Sequence, residues 1–427
     1  MKKVYSLKIL LKNLTVLAVF VAIHSPAFAN GFKILGVKSV KATAMGEAFI
    51  AQADDPSAIA FNPAGLAQLR GTQITNGITM TNGWVENTSP SGVEERILDR
   101  WQYVPNFFIT SDLGLRDMAA GLGITLPNGL SSTWSDTGFA RYVSTFSDLR
   151  VLDINPSFGC RLNENIMIGA GLSYYYSEVT LDGRLDYGVL LGSPGMFDAK
   201  SHLSGKGYGW GYNAGLIYEL NEKNKFAVTF KSPYAIKYTG TSKITDIPVA
   251  LGLGSAADTM LKAKINFPAV VNFGYAYYPT EKMKIEFDLD WTRWESLKNI
   301  IVDFVPDSVS DVVYEYEYEN TFAYKIGTEY ALTEQFKLRV GYIYNEPAVP
   351  ERNWKPSLPD TTTHFLCSGF GWDMGKFMVD VGSQVILYED RTIDNNVDNN
   401  EATTSSSIDG DYKNIALVFA ASVTYKF

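Results

Sequence analysis

The sequence has little of what transmembrane helices, disulfide scaffolds and metal centres are built from. Its 427 residues include 2 cysteines and 3 histidines, and only 19% are charged. Cys160 and Cys367 stand too far apart to staple a small secreted domain, and the sequence leaves a pair and two free thiols equally open. Beyond the first 29 residues there is no run of about 20 apolar residues, so no helix can cross a hydrocarbon core of about 30 Å. The formal charge is -9 and no basic stripe is visible, which excludes nonspecific nucleic-acid binding. No Pro/Ser/Gly linker divides the chain, which argues for one large domain.

Catalytic signatures are equally scarce. GKGYGWG carries Gly205, Gly207, Gly209 and Gly211 but lacks the strand-turn-helix setting of a phosphate or dinucleotide loop. It reads better as a strand with one face stripped of side chains, or as a place where two backbones approach closely. His202 and His364 join no metal-ligand cluster. The acidic run containing Asp390, Asp394, Asp398 and Glu401 reads as a solvated loop in preference to a calcium site. No catalytic, cofactor-binding or metal residue is expected, and the chain is not read as an enzyme.

The N-terminus does have a long-hydrophobic-run candidate, but of the wrong length. Lys2, Lys3, Lys8 and Lys12 precede LTVLAVFVAI, and Ala27-Phe28-Ala29 supplies the small residues of a signal-peptidase site. Residues 1–29 are therefore expected to be an export signal, with the mature chain starting at Asn30.

What is present is aromatic content and a period of two. The chain holds 25 Tyr, 24 Phe and 36 Gly. MKIEFDLD sets Met283, Ile285, Phe287 and Leu289 against Lys284, Glu286, Asp288 and Asp290. YEYEYEN alternates Tyr314, Tyr316 and Tyr318 with Glu315, Glu317 and Glu319, and FAYKIGTEY is expected to continue that register, with the charged face in water because burying it would be costly. IALVFAASVTYKF puts Leu417, Phe419, Val423, Tyr425 and Phe427 on one side, as a lipid-facing strand of about 9 to 11 residues requires. Fourteen such segments are legible, near residues 71–83, 103–111, 118–126, 148–160, 165–178, 207–219, 224–238, 263–277, 281–291, 318–331, 335–345, 362–374, 376–389 and 411–427. Open edges are not viable in lipid, so the strands must close. The fold expected is an all-β transmembrane protein, a 14-stranded antiparallel outer-membrane β-barrel over 71–427.

A barrel of that size is too wide for wall side chains to fill. Residues 30–70 are the segment available to plug it. AFIAQADDPSAIAFNPAGLAQL offers turn or helix-start signals at Asp54-Asp55-Pro56-Ser57 and Asn62-Pro63-Ala64-Gly65, with small apolar residues between them. A periplasmic linker is the alternative use of the same residues. Trp84, Trp101 and Trp134 belong either to external loops or to an aromatic girdle.

The chain resembles the FadL-like long-chain fatty-acid and hydrocarbon transporters of Gram-negative outer membranes. The resemblance is carried by Gly31-Phe32, KATAMGEAFIAQADDPSAIAFNPAGLAQL, GKGYGWGYNAGLIYELNEKNKFAVTFKSPYAIKYTG and RVGYIYNEPAVPERNWKPSLPDTTTHFLCSGFGW, with Asn62-Pro63-Ala64 the most specific part. It implies a barrel plugged by an N-terminal hatch, Phe32 beside an internal substrate pocket, and Asn62, Pro63 and Ala64 in the hatch. It also implies uptake of fatty acids or hydrocarbons, with sideways release through an opening at a kinked strand. No basic carboxylate-binding residue aligns. Expected partners are hydrophobic small molecules, outer-membrane lipid and lipopolysaccharide, and the barrel assembly machinery, with the protein a monomer. The alternatives are a general diffusion porin for hydrophilic solutes and a structural or adhesion barrel.

Overall fold

The computed structural model describes residues 31–98, 100–249, 258–305, 310–395 and 407–427. The expected signal peptide lies outside these, as do Asp398 and Glu401 of the acidic run.

Fourteen antiparallel strands form one closed sheet. They are β1 (Thr72–Thr88), β2 (Gln102–Ser111), β3 (Met118–Thr133), β4 (Phe146–Arg161), β5 (Ile166–Asp186), β6 (Asp198–Asn221) and β7 (Asn224–Lys231 with Tyr234–Thr245). The circuit continues through β8 (Thr259–Phe267 with Val270–Thr280), β9 (Met283–Thr292 with Asn299–Val305), β10 (Val312–Glu315 with Thr321–Ala331), β11 (Phe336–Asn345), β12 (Thr363–Asp373), β13 (Phe377–Tyr388) and β14 (Gly410–Lys426). Closure is made by β14 against β1, from Gln73↔Lys426 to Thr88↔Asp411. Short ribbons at Glu94–Arg96 and Arg391–Ile393 extend the wall. Each strand is hydrogen-bonded to both neighbours along at least part of its length, so the sheet closes on itself without a terminal edge strand.

All fourteen segments legible in the sequence are staves of this barrel, in order. The differences lie in the upper halves of β7 to β10, which are broken. Pro233 and Pro268 cannot donate to a ladder, so β7 and β8 each stop and restart around them. The break in β10 overturns one expected register. Glu317 adopts a left-handed φ of 44°, and the chain changes face across residues 316–320. Tyr318 is consequently buried inside, whereas Phe322 and Tyr324 face outward.

The lower halves obey the alternation. In β9, Phe287 is exposed outward, while Glu286, Asp288 and Asp290 point inward and are nearly inaccessible. The expected watery side is therefore not watery: the charged face meets protein. What it meets is the segment from Gly31 to Arg70, which packs inside the wall. This segment contains only α1 (Val40–Ala44), α2 (Ala58–Phe61) and the 3-10 turn Pro63–Gln68. Ala42, Ala48, Phe49, Ala58, Ile59 and Leu66 are fully buried there.

Asn62 caps the 3-10 turn by accepting from the Ala64 amide at 3.0 Å, with Pro63 at the first position where no amide is needed. Its side-chain amide donates to Ile50 O (2.9 Å) and to Leu216 O in β6 (3.3 Å). The wall makes room for this corner with glycine. A Cβ at Gly159 or Gly169 would overlap the Pro63 backbone, and one at Gly215 would overlap the Asn62 side chain. The glycines of GKGYGWG serve a different contact. Cβ atoms at Gly207 and Gly209 would come within 2.5 Å of Lys237 O and Ala235 O, so that stripped face lets β6 and β7 approach each other.

Adding a methyl at Gly169 should therefore unseat the corner without disturbing strand pairing, since overpacking costs about 1–3 kcal/mol. Gly169→Ala is expected to keep heat-modifiable barrel migration while raising single-channel conductance above wild type. Equal conductance in a folded variant would show that this contact does not hold the segment in place.

Candidate functional site

The inner segment is tied to the wall mainly by charge and by carboxylates that cap backbone amides. Asp288 accepts from the Phe49 and Ile50 amides at 2.8 and 3.2 Å, and Glu286 from those of Ala51 and Gln52 at 2.6 and 3.0 Å. Four consecutive N–H groups outside any helix are thus satisfied by two side chains of β9. Asp290 binds Lys33 (3.0 Å) and Lys325 of β10 (2.8 Å), and Lys325 also reaches Glu47 (3.4 Å). Lower in the barrel, Asp54 bridges Lys41 (2.5 Å) and Lys284 (3.0 Å). Lys284 continues to Glu329, which binds Arg339, and Arg339 binds Asp380 of β13.

Burial acts differently on neighbouring groups of the segment. Burial opposes ionisation of Asp54, yet Lys284 and Lys41 outweigh it and hold its carboxyl well below the usual range. Asp55, one residue on, lacks such direct contacts, and burial pushes its carboxyl up to about 6. Lys38 is brought down to about 8 by burial, against the pull of Glu47 and with help from Lys325 and Lys33. Its ammonium lies 4.6 Å from the Phe61 ring centre.

Above this plug lies a cavity of ≈ 1010 Å³. Leu149, Val179, Tyr238, Leu261, Ile265 and Ile300 are among its walls, and Phe32 is at its edge. Phe32 is 4% exposed and packs on Phe267, Trp294, Tyr316 and Tyr318 at centroid distances of 6.1 to 6.4 Å. Three cations line the cavity. Arg184 is held by Asp136 and Arg352 by Glu317. Lys355 has no ion pair among the described residues; its ammonium lies 5.2 and 5.3 Å from the ring centres of Tyr314 and Tyr316. Burial lowers its pKa, partly offset by Glu315.

The wall changes beside Phe32. The β2–β3 ladder runs from Ser111↔Ala120 to Phe107↔Ile124 and stops there. β3 then slips register against β4 between Thr125 and Asn128, a kink at Leu126-Pro127. The inner segment takes up the freed groups: Ile34 N donates to Pro127 O (3.0 Å), and Gly129 N to Phe32 O (2.9 Å). Asn106 of β2 donates to Val37 O at 3.2 Å. Phe32 thus joins the cavity to the kink, whereas Asn62, Pro63 and Ala64 sit lower, at the glycine recess. No sequence signal separated Lys355 from the other lysines, because its distinction is the absence of a carboxylate partner in three dimensions.

The remaining candidates are accounted for by packing. Trp134 is buried in the loops, donating to Pro356 O at 3.0 Å, while Trp101 is exposed beside Phe419. Cys160 and Cys367 are both free thiols. His202 contacts Asp182 and His364 contacts Tyr342. Among the described residues no three His, Cys, Asp or Glu side chains are grouped to hold a metal.

Burial of the Asp55 carboxyl predicts that docking of the segment weakens as pH rises. A group that binds its proton more tightly when docked favours docking fully below its free value of about 3.9 and loses that contribution as pH rises through about 6. Amide protection over residues 48–68, after correction for the intrinsic base catalysis of exchange, should therefore fall between pH 4 and 7, and Asp55→Asn, which keeps an acceptor for Ser57, should flatten that trend. An unchanged slope in Asp55→Asn would remove Asp55 as its source.

This geometry can now be set beside known proteins. Residues 20–427 match the model of the family described as "Outer membrane protein transport protein (OMPP1/FadL/TodX)". The long-chain fatty acid transport protein of Salmonella typhi is 25% identical over 399 residues, covering 86% of this chain and 89% of that one. Its counterpart in Escherichia coli K12 is 24% identical over 408 residues, covering 86% and 90%. Among solved structures, a Pseudomonas aeruginosa FadL homologue superposes with a TM-score of 0.79 at 18% identity over 93% of this chain and all of that one. The Pseudomonas putida toluene transporter TodX gives 0.72 at 18% identity, over 93% and 99%. The barrel and the family match make this chain an integral protein of the Gram-negative outer membrane, a channel for hydrophobic solutes and not an enzyme. The chain belongs to the FadL/TodX outer-membrane transport family.

Proposed function

We propose that the protein takes up hydrophobic amphiphiles bearing a carboxylate, with long-chain fatty acids the substrate class, by way of the Phe32 cavity. The observation that carries this reading is Lys355, a cation without an ion pair among the described residues on the wall of a largely apolar chamber. A chain buried there gains roughly 0.8 kcal/mol per CH₂, while an anionic head group restores a charge partner to an ammonium that burial disfavours. The volume is at the upper end of the ~300–1,000 Å³ range of small-molecule pockets, which suits a long flexible chain. The Salmonella and Escherichia relatives, long-chain fatty acid transport proteins, point the same way, and the toluene transporter TodX points to an aromatic hydrocarbon.

In this mechanism residues 30–70 act as a hatch. Phe32 closes the floor of the chamber, and Phe32 to Ile34 complete the kinked edge of β3. Withdrawal of that short stretch would join the cavity to the unpaired upper part of the β2–β3 seam, so the hydrocarbon could leave sideways into the membrane without crossing water. Asn62, Pro63 and Ala64 keep the rest of the hatch seated while this happens. A general diffusion porin would instead need a continuous aqueous path past a segment that is dry and charge-paired to the wall.

Binding in detergent separates these readings. Lys355→Met should weaken a long-chain fatty acid by about 10- to 100-fold, the range expected when a charged hydrogen bond of about 1.5–3 kcal/mol is lost, and leave a monoaromatic hydrocarbon unaffected. Phe32→Ala should weaken both ligands. Equal loss for both ligands in Lys355→Met would reject the carboxylate role, and rapid sugar flux through wild-type proteoliposomes would favour the porin.

A further inference from the structure

The outward face of the barrel carries a charge arrangement that the transport route does not use. At other positions of the wall a lysine faces a carboxylate across the ladder. Lys225 stands opposite Glu219 and binds it at 2.6 Å, Lys284 stands opposite Glu329, and Lys413 stands opposite Glu86. Arg184 does face Lys200, but these hold Asp136 and Asp246 respectively. Lys237 of β7 and Lys264 of β8 are different. They are direct cross-strand partners, and neither has an ion pair among the described residues.

Both point away from the lumen, because their neighbours Ile236, Tyr238 and Ile265 are buried in the inner core. Side chains directly opposite on one face lie about 4.5–5.5 Å apart at Cβ, and like charges in that position destabilise the sheet. Snorkelling explains why lysines tolerate the rim of an apolar band; it does not explain two placed face to face. An anion shared between them would.

The height identifies the occupant. Tyr208 of β6 is in register with Lys237, so Tyr208, Lys237 and Lys264 form one row across three strands. Ten residues below Tyr208 on the same strand is Tyr218, beside the Asn221 turn. With a strand tilt of about 35–45°, ten residues rise about 25 Å, the height of the apolar band. Short turns mark the periplasmic end of such barrels and long loops the outer end, so the row, at the far edge from the short turn at 221–224, stands at the outer edge of the band, the level of lipid phosphates. The next row up adds Lys206, bound to Glu178 at 3.0 Å, and Lys262, opposite Asp303. Below the pair stand Ala235 and Asn266, small outward residues in register, near the exposed rings of Tyr208 and Trp210. That leaves room for an acyl chain under the charged row.

We propose that Lys237 and Lys264 bind a phosphate of an outer-leaflet glycolipid of the lipid A type, with its acyl chains laid over Ala235 and beside Trp210. The site is on the wall of β6 to β8, on the other face from the substrate cavity, and it does not depend on the substrate reading above.

The test uses the full-length mature barrel in phosphatidylcholine nanodiscs containing trace diphosphoryl lipid A, with bound lipid quantified by native mass spectrometry. Wild type should retain the lipid in a salt-sensitive manner, and Lys237→Gln/Lys264→Gln should weaken retention at least 10-fold. Lys413→Gln, on a distant strand where the lysine faces a carboxylate, should match wild type. Lipid A stripped of both phosphates should bind wild type no better than the double variant. Heat-modifiable migration checks folding, and if the double variant folds poorly, Lys264→Arg should retain the lipid while Lys264→Ala loses it. Undiminished retention in the folded lysine variants, equal binding of the dephosphorylated lipid, or full displacement by millimolar inorganic phosphate would each overturn the assignment.

Discussion

Everything inside this barrel depends on pairing the inward carboxylates of β9 with a segment that has almost no secondary structure of its own. A lumen of fourteen strands cannot be closed by wall side chains, so a plug is required. A plug of about forty residues with two short helices leaves most of its amides without internal partners. Glu286 and Asp288 accept four of those amides in succession, and Asp290 gathers Lys33 and Lys325. Removing any one partner would leave a charge or an amide buried and unpaired, which costs far more than the intact contact contributes. The hatch is thus held by a set of buried polar contacts in which each partner satisfies another.

Glycine supplies the complementary condition. Polar anchors fix the hatch only if its backbone can reach the wall, and the Asn62-Pro63 corner reaches it where Gly159, Gly169 and Gly215 have no side chains. Met45 makes a similar approach to Gly327 and Gly341 on the opposite side. The two sets lie on β4 to β6 and on β10 to β11, so the hatch is gripped across the lumen. Its N-terminal end bonds the kinked strand through Ile34 N and Phe32 O, packs Phe32 among four aromatic rings and ties Lys33 to Asp290. The moving part in the proposed mechanism is this end, nearest the cavity, with the body of the hatch as its support.

The strand pattern was legible in the sequence because lipid imposes it: Met283, Ile285, Phe287 and Leu289 must be apolar wherever the charged alternates point. What those alternates touch was not legible. A polar inward face is equally compatible with water and with a charged plug, and only the fold brings Glu286 to Ala51, 235 residues away in sequence. The Tyr-Glu alternation of 314–319 misled for a related reason. Its period is real, but a single left-handed residue at Glu317 lets the chain restart on the other face, and no local composition rule signals that break. Asn62-Pro63-Ala64 stood out as a motif, yet its partners are glycines scattered over three strands, each unremarkable alone.

The same asymmetry governs the cavity. Apolar lining follows from cluster formation among residues such as Leu149, Tyr238 and Ile265, which any buried core would show. The lining cations differ: among the described residues Lys355 is left to two tyrosine rings while Arg184 and Arg352 have carboxylates, and the proposed selectivity rests on that difference. A ring quadrupole stabilises an ammonium by about 0.5–2 kcal/mol, less than a carboxylate in the same dry setting can supply. On the reading proposed above, the two rings hold the Lys355 ammonium and the carboxylate of an incoming amphiphile would hold it better. On that reading a neutral hydrocarbon would leave Lys355 as it is, and only a charged amphiphile would add an interaction to apolar burial.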